Sequence, residues 1–132
     1  MVAKPSNHLP DYIQEYAFDF SWDNTLLWQL DITTQTMGID QLAWHFDVRW
    51  LHTKNGRFDI TPKQIMDNPD LYNEQYGRTM QSDLSYPIDI MFNKGNWLIL
   101  DGLHRLMKSA ILGKQQVNVR KIPRSAVPLI TT

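Results

Sequence analysis

The chain has no cysteine among its 132 residues. That excludes a disulfide framework, a cysteine-based zinc site and any reaction that needs a thiolate nucleophile. No apolar run approaches the roughly 18 residues that a membrane-spanning helix needs. The opening Met1-Val2-Ala3-Lys4-Pro5-Ser6-Asn7-His8 lacks the apolar core of a signal peptide, so a cytoplasmic protein without a membrane partner is expected. There is no run of Lys or Arg, and the charges nearly cancel at −1. The broad electrostatic footprint of a sequence-blind DNA binder is therefore missing. The four histidines, at 8, 45, 52 and 104, do not fall at paired-ligand spacing, so a structural zinc site is not expected. Repeats, low-complexity tracts and dividing linkers are also absent.

What remains is a chain of 42% hydrophobic and 11% aromatic content, enough to bury a core without metal or disulfide staples. One domain over 1–132 is expected, of mixed α+β class. The most informative stretch is 97–113. Trp97 to Leu100 are apolar without alternation, which fits a strand covered on both faces. Leu103, Leu106, Met107, Ala110 and Ile111 then recur at the spacing of one helical face, and Gly113 is placed to end the helix. At about 100° per residue, Asp101, His104, Arg105 and Lys108 share another arc. The free N–H groups and positive dipole end of the first turn point the same way, which suits a phosphate.

Elsewhere the signals are local. Residues 1–22 read as an N-terminal arm or cover, loose over Pro5 to Pro10 and held by aromatics over Asp11 to Phe20. Asp23 or Asn24 can cap a brief turn before Leu26 to Ile32, read as turn then strand. Thr33 to Thr36 reads as a polar connection, and Ile39 to Phe46 as the start of a helix with Asp40 near its N-terminus. Lys54-Asn55-Gly56-Arg57 is a turn signal, and Thr61-Pro62 marks a helix from Pro62 to about Asp67. Asn68-Pro69 breaks it, and a helix weakened at Gly77 resumes over Leu71 to Leu84. Tyr86 to Phe92 and Asn96 to Leu100 form a hairpin around Asn93-Lys94-Gly95.

Asp101-Gly102-Leu103-His104-Arg105 follows an apolar strand and precedes a short helix, a glycine and the strand Val117 to Arg120. This arrangement resembles the Asp-Gly-x-His-Arg signature of the ParB/sulfiredoxin superfamily. The resemblance covers 86–123 well, because Tyr86-Pro87-Ile88-Asp89-Ile90 also reads like the strand that the family places before its motif; residues 1–80 match in outline only. It implies a compact mixed sheet with flanking helices, the motif helix following the central strand. It also implies a turn used on nucleotide phosphates: CTP in partition proteins, ATP in sulfiredoxins, ADP in free serine kinases. Sulfiredoxin chemistry is excluded, since its cysteine position here is Leu103. The match does not extend to the DNA-binding and dimerisation regions of full partition proteins, so centromere binding by this chain alone is not expected.

On that resemblance the phosphate-binding residues are Gly102, Leu103, His104, Arg105 and Lys108, and the catalytic ones His104 and Asp101. Each has a plainer alternative. Asp101 fits an N-cap, Gly102 a positive φ, His104 a structural histidine, Arg105 a surface ion pair, and Lys108 a solvated helix lysine. Arg78 and Asp83 read as a helix-surface ion pair. Trp44 to Trp50 holds two tryptophans and a histidine, either a partner surface or core cover. The expected ligand is ATP, ADP or CTP, with Mg²⁺ arriving on the phosphates. A phosphotransferase would also need a general base, for which Asp40 and Asp47 are both candidates. Two readings stand: a nucleotide-dependent NTPase or small-molecule phosphotransferase, and a catalytically silent binding module with a protein partner. A nuclease ranks last, because no carboxylate cluster for paired metals is visible.

Overall fold

The computed structural model describes residues 11–53 and 56–131, with Arg57 described by its backbone. The Pro5 to Pro10 arm, His8 and the Lys54-Asn55 part of the turn signal lie outside the described residues. The elements in chain order are α1 (Asp11–Gln14), α2 (Asn24–Trp28), β1 (Thr34–Gly38), two 3-10 turns (Ile39–Gln41 and Ala43–Asp47), β2 (Leu51–Thr53) and β3 (Gly56–Ile60). Then come α3 (Pro62–Asp67), α4 (Asn73–Gln81), β4 (Ile88–Asn93), β5 (Asn96–Asp101), α5 (Leu103–Ile111), β6 (Gln116–Lys121), a 3-10 turn (Arg124–Ala126) and α6 (Val127–Ile130). The class is α+β.

Local chemistry explains the best-formed elements. Thr61 caps α3 through the Gln64 N–H while the Gln64 side chain returns to the Thr61 N–H, a reciprocal capping box with Pro62 at the first helical position. The β4–β5 hairpin turns at Lys94 and Gly95, both at positive φ (51° and 86°), the combination that matches the twist of paired strands. α5 ends where the Gly113 N–H meets the Ala110 carbonyl and the Lys114 N–H meets that of Ser109. This double closure needs the left-handed φ of Gly113, 74°.

The four-stranded sheet runs β1-β6-β4-β5, antiparallel except for the parallel pair β4 and β6. α5 therefore carries the chain from β5 across β4 to β6. On one face Ile88, Ile90, Val117 and Val119 pack with Leu106 of α5 and with Met37 and Leu42. On the other, Met91, Leu98 and Leu100 pack with Phe18, Phe20, Leu27, Ile122 and Ile130. Ile60 and Ile65 bury Met107 on the outer side of α5.

Four expectations are corrected. Leu26–Ile32, assigned as turn then strand, is instead the end of the short helix α2 (Asn24–Trp28) followed by irregular chain, with the N-cap Asp23 accepting the Thr25 N–H at 2.7 Å. The first strand lies later, in the supposed polar connection: Thr34, Gln35 and Thr36 are all exposed on a sheet edge, so pairing with β6 rather than apolar periodicity defines it. The helix assigned to Ile39–Phe46 is two separate 3-10 turns. The motif helix follows an edge strand, not the central one. β5 is apolar on both faces because both faces are packed. Its outer edge is partly closed by His45, whose Nε2 accepts the Ile99 N–H at 3.2 Å.

Candidate functional site

β5 delivers the motif directly: Asp101 is its last residue, Gly102 turns the chain and α5 begins at Leu103. Gly102 has φ +120° and ψ 19°, which an L side chain rarely adopts. A Cβ there would also stand 3.0 Å from Arg105 Nη2 and 3.1 Å from Ile88 Cγ2. Glycine is thus required by backbone angle and by the guanidinium folded over it. Gly102 occupies the N-cap position and no side chain caps the helix. The first-turn N–H groups therefore keep the positive end of the dipole uncompensated by a protein cap.

The plainer alternative for Asp101, an N-cap, does not hold, because its carboxylate goes elsewhere. Oδ2 accepts the indole N–H of Trp28 at 2.8 Å and Arg105 Nη2 at 3.2 Å, the two being bound across 73 and 4 positions of sequence. The ion pair is sheltered, with the Arg105 side chain 18% exposed. Arg105 Nε is buried with no hydrogen-bond partner, a donor left free at the turn.

His104 leaves the turn in another direction. Its Nε2 lies 3.1 Å from Gln75 Oε1 on α4, while Gln75 Nε2 donates to the His52 carbonyl. That second bond orients the amide so that its oxygen meets the imidazole, placing the proton of the neutral ring on Nε2. Burial, followed by the charge of Arg78, lowers the His104 pKa from its ordinary value, so the ring is neutral at pH 7. Lys108 is drawn off altogether: its ammonium donates to the Ser82 carbonyl at 2.8 Å, linking α5 to the end of α4.

A cleft of about 740 Å³ opens beside the turn, and Asp101, Gly102, Leu103, His104 and Arg105 all line it. The volume is within the usual range for small-molecule sites. Lys108 is not among its lining residues, nor are Asp40 and Asp47, which are both exposed. Arg78 lies 3.9 Å from Glu74 on the exposed face of α4 rather than pairing with Asp83. Asp83 instead accepts the Ser85 N–H at 2.9 Å. Among the described residues no three His, Asp or Glu side chains gather to hold a metal ion.

The Trp44 to Trp50 stretch packs inward. Trp44 and Trp50 are half-buried against the core and lie around the buried His45, so of the two readings of this stretch core cover is the one observed. The exposed tryptophan is Trp28, which sequence reasoning did not single out. Nor did it find Gln75. Both meet the motif through contacts distant in sequence, and no local spacing announces them.

No family model, curated protein or solved structure matches the chain. Among the described residues no helix is long and apolar enough to cross a membrane.

Proposed function

We propose that the protein contains a ParB/sulfiredoxin-like domain, works in the cytoplasm and binds a nucleotide through its phosphates at the Gly102 to Arg105 turn. In its fullest form the activity is nucleotide hydrolysis or phosphoryl transfer to a small hydroxyl acceptor. One observation carries the reading: a helix N-terminus without a side-chain cap opens on a cleft beside an arginine whose Nε has no partner. Backbone N–H groups of Leu103, His104 and Arg105 would hold a phosphate, and the Arg105 fork would neutralise it. Asp101 would position Arg105. Neutral His104, on the same cleft wall, would exchange a proton through its ring. Mg²⁺ would come with the nucleotide, held chiefly by phosphate oxygens.

The test is a thermal-shift panel of ATP, ADP, CTP, GTP and inorganic phosphate, with and without Mg²⁺, on wild type and Arg105→Ala. A ligand that binds only the folded state at about 100 times its Kd adds about 2.7 kcal/mol of stability. The expected result is a raised midpoint with at least one nucleotide, lost in the variant. No shift with any ligand would refute the reading.

A silent binding module is favoured by a different observation, namely that Asp101 and His104 are already engaged by Trp28, Arg105 and Gln75. The two readings part on turnover. The enzyme consumes nucleotide and His104→Ala stops it while binding persists; the module binds without consuming.

A further inference from the structure

A second opening adjoins the first. Trp28, Tyr86, Pro87, Asp89, Arg105 and Arg120 line a cleft of about 530 Å³. Arg105 lines both clefts, and its guanidinium lies over Gly102. At the floor, Arg120 and Asp89 neutralise each other in a buried bidentate pair and offer no free charge to an occupant. The recognition chemistry left in this cleft is aromatic.

Trp28 and Tyr86 are the most exposed aromatic side chains among the described residues, at 59% and 62%. Among those residues neither makes a ring-to-ring contact, whereas Phe18, Phe20 and Trp22 of the larger cleft pack on one another at centroid distances of 5.1 to 5.8 Å. Trp28 is nevertheless held in place. Its indole N–H is tied to Asp101, and α2 beneath it is anchored by Arg120, which donates to the Leu27 and Leu30 carbonyls at 3.0 and 2.7 Å. An indole fixed at its N–H edge with an open face is a preorganised stacking platform, with little ordering cost left when a planar ring lands on it.

We infer that this cleft is a ring subsite: it stacks the base of the nucleotide whose phosphates lie at the head of α5, with Trp28 and Tyr86 as the contacts. The assignment rests on the phosphate reading above and adds to it which cleft receives the base. A nucleotide joins a planar ring to phosphates by one sugar, the span that two clefts sharing one arginine call for. The larger cleft is the poorer choice, because Phe18 and Phe20 are buried in the core and already face aromatic neighbours.

The experiment is calorimetric titration of wild type, Trp28→Leu and Tyr86→Leu with the magnesium complexes of ATP, CTP, GTP and inorganic tripolyphosphate. Tyr86→Leu leaves the Trp28–Asp101–Arg105 contacts untouched, so it isolates stacking. Wild type should bind the preferred nucleotide more tightly than tripolyphosphate. Tyr86→Leu should weaken the nucleotide by about 5- to 160-fold, the range for loss of one base–aromatic stack, and leave tripolyphosphate unchanged. Trp28→Leu should weaken the nucleotide at least as much. Nucleotide affinity equal to that of tripolyphosphate, or unaltered by Tyr86→Leu, would overturn the ring subsite and leave the phosphate reading standing. Wild type binding neither ligand would overturn both.

Discussion

His45 makes the stability of this fold depend on pH in a direction that can be worked out from its contacts. The Ile99 N–H is a fixed donor, so Nε2, which meets it at 3.2 Å, must be the acceptor, and Nδ1 carries the proton that goes to the Leu42 carbonyl at 2.8 Å. The ring lies 3.9 Å from that of Trp44, centroid to centroid, in a site 2% exposed. A second proton would bury a charge and set N–H against N–H at Nε2. Burial accordingly lowers the pKa from 6.5 to about 4, against a smaller raising effect of the Leu42 bond. Between these values the unfolded chain binds the proton and the folded chain does not, so stability falls as pH falls. It is fully present above the unfolded pKa and is lost from there down to about pH 4. From pH 7.5 to 4.5 the loss from His45 alone comes to about 2–3 kcal/mol, with a slope near 1 kcal/mol per pH unit in the middle of the window. His104, also lowered, adds a change of the same sign. Urea unfolding at half-unit steps through this window reads the slope. His45→Gln, which keeps an acceptor but cannot titrate, should start less stable at pH 7.5 and show a flatter profile. A histidine NMR titration of the native protein gives the direct check, and His45 titrating near 6.5 while folded, or parallel profiles for wild type and variant, would refute the argument.

Two further substitutions probe the frame around the motif. Arg120→Met leaves the Asp89 carboxylate, 2% exposed, without its bidentate partner and the Leu27 and Leu30 carbonyls without a donor, so it should cost about 3–5 kcal/mol at pH 7. Adding Asp89→Leu should recover part of that by removing the stranded charge; a loss below about 1 kcal/mol in the single variant, by chemical denaturation, would contradict this account. Gly102→Ala should cost about 1–3 kcal/mol through backbone strain at φ +120°, and should also displace Arg105, whose Nη2 lies 3.0 Å from the new methyl position. Unfolding midpoints within error of wild type would show that the turn does not need its glycine.

The elements that were legible in the sequence are those whose causes lie within a few residues. Thr61, Pro62 and Gln64 specify the start of α3 by themselves, Lys94-Gly95 the hairpin, and Leu103 to Gly113 the amphipathic helix with its closing glycine. The turn from Asp101 to Arg105 was likewise visible, because a strand, a glycine and a helix in immediate succession leave little freedom in how the chain can run. Gly77 did not interrupt α4, since a glycine inside a helix costs only about 1 kcal/mol and tertiary packing outweighs it.

What the tertiary structure alone decided are the pairings between distant segments. β1 is a strand because β6 offers it an edge; its exposed Thr34, Gln35 and Thr36 carry no periodicity that could announce this. Asp101 became the acceptor for Trp28 and Arg105 instead of a helix cap because α2 folds beside it, and Lys108 left the phosphate arc because the Ser82 carbonyl lies within its reach. The same holds for Arg120 with Asp89 and for His45 with Ile99: each polar group is buried by packing first and must then find its partner among whatever the fold brings near. Sequence therefore determined where the turn stands and which side chains it offers. Long-range burial decided which of those side chains remain free to meet a ligand.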